Sequence, residues 1–307
     1  MPDGMDPITR DFYEERRRKW RRSAFWRGFL VAAMLALILG VLALGSVDLP
    51  GERIARFDVT GMILDDAERD ETLKEIAEDD ATRALILRIN SPGGTTAGSE
   101  ALYASVREIA ETKPVVAVMT ELAASGGYVA AMSADHIVAR GNTLTGSIGV
   151  IMEYPTFTDL MSRVGIGYET VRSSELKAEP SPFREGNPAA RAAEAAMVEE
   201  SFQWFRSLVG ERRGLAGNAL DAVATGGVFT GRVALENGLV DELGGEPEAL
   251  AWLESRETGL GDLPVEPVEV VRDEPLVSRW LGLAGASGGI LEEISARTGV
   301  KLYSLIR

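Results

Sequence analysis

"ELAASGGYVAAM" (residues 121–132) is the stretch on which the reading of this chain turns. Small and apolar residues lead up to Ser125, two glycines follow it, and "YVAAMSA" continues as a short apolar helix. The preceding "PVVAVMT" (114–120) reads as a buried strand, and its proline cannot extend the helix before it. Ser125 therefore stands where a strand passes abruptly into a helix, with no polar neighbour of its own. It is either a packing spacer or a nucleophile with space cleared around it.

Working outward, "RIARFDV" (53–59), "ALILRIN" (84–90) and "HIVAR" (136–140) also read as strands. "TTAGSEALYASVREIAETK" (95–113) reads as a helix with Ala101, Leu102, Val106 and Ile109 on one side. The alternation predicts an α/β domain. Two consecutive units share one plan, strand, Gly-Gly turn, helix: "INSPGG" (89–94) ends one strand and "AASGG" (123–127) follows the next. Beyond Gly186 a long helix is expected, with Met197, Phe202, Trp204, Phe205 and Leu208 as apolar surface. "TGRVALENGLVDELGG" (230–245) reads as helix, short strand and turn. "TGLGDLPVEPVEV" is expected to be a linker or extended arm.

The 307 residues suffice for a sizeable core, and the absence of cysteine excludes thiol catalysis and disulfides. One histidine, His136, opens a predicted strand and reads as a packed or hydrogen-bonded side chain rather than a base. The formal charge of −15 is uneven, with +3 on residues 1–27 and −18 on the rest. An acidic body makes nucleic acid an unsuitable partner.

Residues 28–47, "GFLVAAMLALILGVLALGSV", carry no charge and are long enough at 1.5 Å per residue to cross a bilayer. "RRRKWRR" (16–22), with Trp20 and Trp26 near the boundary, predicts a cytoplasmic N-terminus and a body on the other face. A cleaved signal peptide is the rival, since "ALG" before Ser46 resembles a cleavage site; the long charged leader and long apolar run favour an uncleaved anchor.

Acyl transfer by serine needs a nucleophile, a base and donors aimed at the oxyanion. The helix after Ser125 offers unpaired N–H groups and a partial positive charge, and the Gly93-Gly94 turn offers another backbone N–H at close approach. Lysine is the candidate base, and it must be neutral to accept a proton. The body contains Lys74, Lys113, Lys177 and Lys301, and their local sequence does not choose among them.

"INSPGG" (89–94), "LAASGGYVAA" (122–131), "TLTGSIGVI" (143–151) and "SSELKAEPSPF" (173–183), in that order, resemble the bacterial signal peptide peptidase A family in its short form. "LENGLVDELGG" (235–245) resembles its C-terminal part, and the match covers about residues 55–250. The resemblance implies a Clp protease/crotonase-like α/β core of repeated strand-strand-helix units and a serine–lysine dyad. In it Ser125 is the nucleophile, Lys177 the general base and Ser147 the group that orients the lysine, while Gly94 and Gly126 form the oxyanion hole. It implies no metal or cofactor, peptide substrates left over from signal-peptide cleavage, and a homo-oligomeric ring in which adjacent subunits share each dyad.

The expected organisation is a basic cytoplasmic segment (1–27), a transmembrane helix (28–47), an exported protease domain (48–260) and a C-terminal extension (261–307). Together these place a single-pass endopeptidase in the inner membrane, with its catalytic domain on the extracytoplasmic side. A crotonase-like acyl-CoA enzyme and a non-catalytic membrane scaffold are the alternatives. Glu175 and Glu179 flank Lys177 at two-residue spacing, so a straight strand would put all three on one face. Carboxylates there would favour the ammonium form, which predicts a bend near 174–180 that turns them away.

Overall fold

The computed structural model describes residues 26, 28–35, 51–270 and 272, in two units divided at Gly51. In the first, residues 28–35 are helical, and Phe29, Leu30, Val31, Met34 and Leu35 are exposed. The expected span continues from residue 36 to 47 outside the described residues. Among the described residues no helix is long and apolar enough to cross a membrane.

The body is mixed α/β, built on one eight-stranded sheet. β1 (Arg53–Ile63), β2 (Thr82–Gly94) and β3 (Val115–Ala124) are parallel neighbours, joined by helices α1 (Ala67–Glu78) and α2 (Thr96–Ala110). α3 (Gly126–Ala131) follows β3 after a single residue, and the short strands β4 (His136–Ala139) and β5 (Leu144–Gly146) come next. β3 is where the sheet forks. Its first half pairs with β4, Val116 opposite His136, and its last residues pair with β5, Ala124 opposite Gly146. At the fork the carbonyls of Met119 and Thr120 would lack a ladder partner, and the Thr143 hydroxyl reaches both.

The rest of the chain closes the edges. α4 (Thr158–Arg163), α5 (Pro188–Arg213) and α6 (Asn218–Val223) precede β6 (Val228–Thr230), which pairs antiparallel with β5. α7 (Gly231–Glu236), β7 (Glu242–Leu243), α8 (Glu246–Arg256) and β8 (Val265–Val268) complete the order. β8 comes from the stretch expected as a linker or arm, and it pairs in parallel with β1 along Ile54–Phe57. The sheet thus continues past residue 260.

Strand residues alternate between two buried faces, as a covered parallel sheet requires. Leu85, Leu87, Ile89, Val115, Ala117 and Met119 face the core that takes Leu102, Val106 and Ile109 of α2. Ile54, Ala84, Ile86, Val116, Val118 and Val138 face Ala249 and Leu253 of α8. Each fully buried leucine or isoleucine contributes about 1.5–3 kcal/mol. Helix ends follow side-chain chemistry: Thr95 Oγ1 accepts from Gly98 N–H at 3.1 Å to start α2. Asn187 caps α5 ahead of Pro188, and Gly214 ends it at φ 65°.

Candidate active site

Three non-glycine residues among those described have positive φ: Ser125 at 52°, Ser147 at 50° and Ala178 at 61°. Each such backbone costs on the order of 1–3 kcal/mol and persists only where its surroundings impose it. Two are serines that the motifs single out, and the third follows Lys177. For Ser125 the cause is local. β3 ends at Ala124 and α3 begins at Gly126, so one residue makes the whole change of direction. Its carbonyl accepts the N–H groups of Tyr128 and Val129 at 2.9 and 3.0 Å, and its own N–H donates to Gly146 O at 2.9 Å.

That last bond sets Ser147 beside Ser125. Ala124 and Gly146 are register partners, so the two serines lie just past the ends of adjacent strands. Ser147 N–H is held in turn by Gly227 O at 2.8 Å. On the other side of Ser125 lies the Gly93-Gly94 turn. A methyl on Gly93 would sit 2.7 Å from Gly126 N, and one on Gly126 would sit 3.1 Å from Gly94 N. The backbone nitrogens of Gly94 and Gly126 are therefore neighbours, and only glycine permits it. A methyl on Gly94 would overlap Ile63 O, and one on Gly126 would overlap Ser99 Oγ.

Ser125, Ser147, Gly94 and Gly126 line one cavity of about 740 Å³. Met62, Val129, Ile148, Ile151, Phe202 and Trp204 give it a largely apolar wall, and Glu199 is its one charged wall residue. Such a space suits an extended peptide with apolar side chains. Among the described residues no three His, Asp or Glu side chains come together to hold a metal.

Lys177 is elsewhere. It is exposed, lies in a turn whose N–H donates to Ser174 O at 3.3 Å, and is not among the cavity walls. The chain bends here rather than running straight. Glu179 turns inward, its side chain 4% exposed, and its Oε1 accepts from Arg172 at 2.6 Å and Arg184 at 2.7 Å. Among the described residues no ion pair links Lys177 to Glu175 or Glu179.

His136 pairs in β4 with Val116, at the far end of β3 from Ser125, about 30 Å of strand away. It stacks on Trp252 at 5.0 Å and meets Glu242 at 3.2 Å. It is a packed side chain, as its sequence context indicates. Tyr128, fully buried behind Ser125, donates to Leu239 O at 2.8 Å, and burial pushes its phenol well above the ordinary range.

Comparison with known proteins agrees with this geometry. Residues 107–260 match the model of peptidase family S49. A candidate protease of Synechocystis sp. is 37% identical over 233 residues, covering 75% of this chain and 83% of the relative. The chain belongs to peptidase family S49. An Enterococcus faecium protein named as a candidate signal peptide peptidase SppA is 31% identical over 75% of this chain and 71% of its own length. The chloroplastic serine protease SPPA of Arabidopsis thaliana is 33% identical over 75% of this chain, which spans only 36% of that relative. The S49 chain is by these relationships a serine peptidase of the signal-peptide-peptidase-A type.

Sequence reasoning passed over two features, one bracing the glycine turn and one beside Lys177. Ser91, fully buried, donates to Gly61 O at 2.6 Å and accepts Gly93 N–H at 3.0 Å, bracing the glycine turn. A serine between Asn90 and Pro92, just ahead of the glycine pair, was its only signal. Arg172 and Arg184, which take up Glu179, carry no local pattern that pairs them.

Proposed function

We propose that this S49 peptidase is a membrane-anchored serine endopeptidase acting through Ser125 and Lys177. The observation that carries it is the strained Ser125, held beside the backbone nitrogens of Gly94 and Gly126 on the wall of an apolar cavity. Neutral Lys177 removes the Ser125 Oγ proton as Oγ attacks a peptide carbonyl. The N–H groups of Gly94 and Gly126 receive the oxyanion. Lys177 returns the proton to the leaving amine, then takes one from the water that releases the acyl group. Ser147, side by side with Ser125, orients the lysine.

The dyad is completed between subunits of a ring. Support comes from residues 149–189, which contribute no buried hydrophobic side chain while Ile151, Leu160, Val164, Ile166 and Val171 are exposed. An apolar surface of that extent calls for a partner. The exposed 28–35 helix and the uncharged run to residue 47 support an anchor with the body outside the cytoplasm. Signal peptides left in the membrane are the substrates that fit a tethered site with an apolar cavity. Cleavage of such a peptide by detergent-purified wild type, Ser125→Ala and Lys177→Ala tests the reading. Full activity in either variant would falsify the dyad.

A further inference from the structure

The turn that carries Lys177 is built around a buried carboxylate. Glu179 is the centre of a cluster in which two guanidiniums meet one carboxylate oxygen. The same guanidiniums also grip the main chain on both sides of Lys177. Arg172 Nη1 donates to Glu175 O at 2.8 Å and lies 3.4 Å from Lys177 O. Arg184 Nη2 donates to Ala178 O at 3.2 Å, while its Nη1 donates to Thr170 Oγ1 at 2.7 Å. Arg184 further lies over the Tyr168 ring at 5.9 Å, and Tyr168 packs on Phe183 at 5.3 Å. Glu179 Oε2 and Arg184 Nε are buried without hydrogen-bond partners, so Oε1 alone carries the pairing.

We propose that Arg172, Glu179 and Arg184 form a clamp that positions the general base. It would fix the turn at 175–178 and keep a carboxylate away from the lysine it flanks in sequence. This rests on Lys177 being the base. A segment with no buried hydrophobic side chains cannot hold a left-handed Ala178 by packing, so polar anchors on the Glu175, Lys177 and Ala178 carbonyls must do it. The clamp also holds the Glu179 carboxylate in its own ion pairs, and among the described residues none links it to Lys177. The charged and titratable groups on or against this turn among the described residues include Arg172, Glu175, Glu179, Arg184 and Tyr168, together with Tyr154, which feels the Glu179 charge and donates to Glu194 Oε2 at 3.1 Å. Glu175, exposed and without an ion pair among the described residues, is the one carboxylate of this turn that the clamp leaves outside.

The test uses the full-length protein in detergent, with peptide cleavage measured across pH and assembly followed by sedimentation. Glu179→Gln and Arg184→Ala should each lower kcat about tenfold or more, since a base displaced by ~1 Å is enough for such a loss, with KM within about twofold and assembly unchanged. In Arg184→Ala the carboxylate keeps only its Arg172 partner, and this weaker neutralisation should move the rising, base-dependent limb of kcat/KM to higher pH. Adding Glu179→Gln to it should move the limb back. An effect on KM alone, an unmoved limb, or losses that only track dissociation in every variant would overturn the clamp. Lys177→Ala serves as the reference. If it is inactive while the clamp variants match wild type, the clamp fails and the dyad stands; if it is fully active, both fail.

Discussion

The two residues of the proposed dyad are held in opposite ways. Ser125 hangs from the end of β3, whose residues Val115 to Met119 are almost completely buried, and its strain is imposed by strands on both sides. Lys177 rides on a segment, 149–189, that adds no hydrophobic side chain to the core and is shaped by arginine contacts and small aromatic stacks. In the proposed dyad the nucleophile's half is built within one chain, while the base's half is completed by a second subunit. On that proposal a core holds a strained serine permanently, whereas a lysine carried on an unburied arm is supplied or withheld by assembly.

The sharpest way to break that contrast is chemical. Ser125→Ala and Lys177→Ala should each reduce peptide cleavage by about three orders of magnitude or more. Mixing the two inactive proteins before assembly should restore part of the activity, because some sites then combine an intact serine with an intact lysine. Absence of any recovery, with mixed oligomers demonstrated, would argue for a dyad closed within one chain.

The arm itself comes next. Ile151→Asp with Val171→Asp should shift the sedimenting species toward monomer and remove most activity, while urea unfolding of the body stays within about 0.5 kcal/mol. On the other side of the comparison, Leu87→Ala in β2 should cost the body about 2–5 kcal/mol, measured by the same denaturation, because a cavity opens in the sheet's main core.

The smallest expected effect is acid sensitivity at Asp241. Burial pushes its carboxyl upward, but ion pairing with Arg213 and donation by Ile137 N–H outweigh this and hold it below the usual range. A carboxyl lowered on folding stabilises above the unfolded value and loses that contribution as pH falls through the folded one. Wild type should lose stability below about pH 4, and Asp241→Asn, already weaker at neutral pH, should lose less over that range.

Much of the body was legible because it obeys simple periodicities. The strands at 84–90 and 114–120 and the helix from 95 read directly from apolar runs and from Pro114, and the structure places them at β2, β3 and α2. α1 escaped because "AERDETLKEIAE" is mostly charged and buries only Arg69, Thr72, Leu73 and Ile76. β8 escaped because "VEPV" looks like a linker until β1 offers it an edge. At the site, Ser125, Ser147 and the glycines came from ordered motifs. No local pattern could show that Glu179 turns inward to two arginines, since its partners lie seven residues before it and five after.

The sequence by itself determined which atoms are available: one serine at a strand-to-helix junction, glycines that keep methyls out of the way, four lysines in the body and no cysteine. Those are properties of residue type and order. The tertiary structure decided which of them meet. Parallel pairing brought residues 94, 126 and 147 around Ser125, because strands adjacent in a sheet end at a common edge whatever their separation along the chain. It left Lys177 outside the cavity, because the arm that bears it has too little apolar surface buried within this chain to be drawn in.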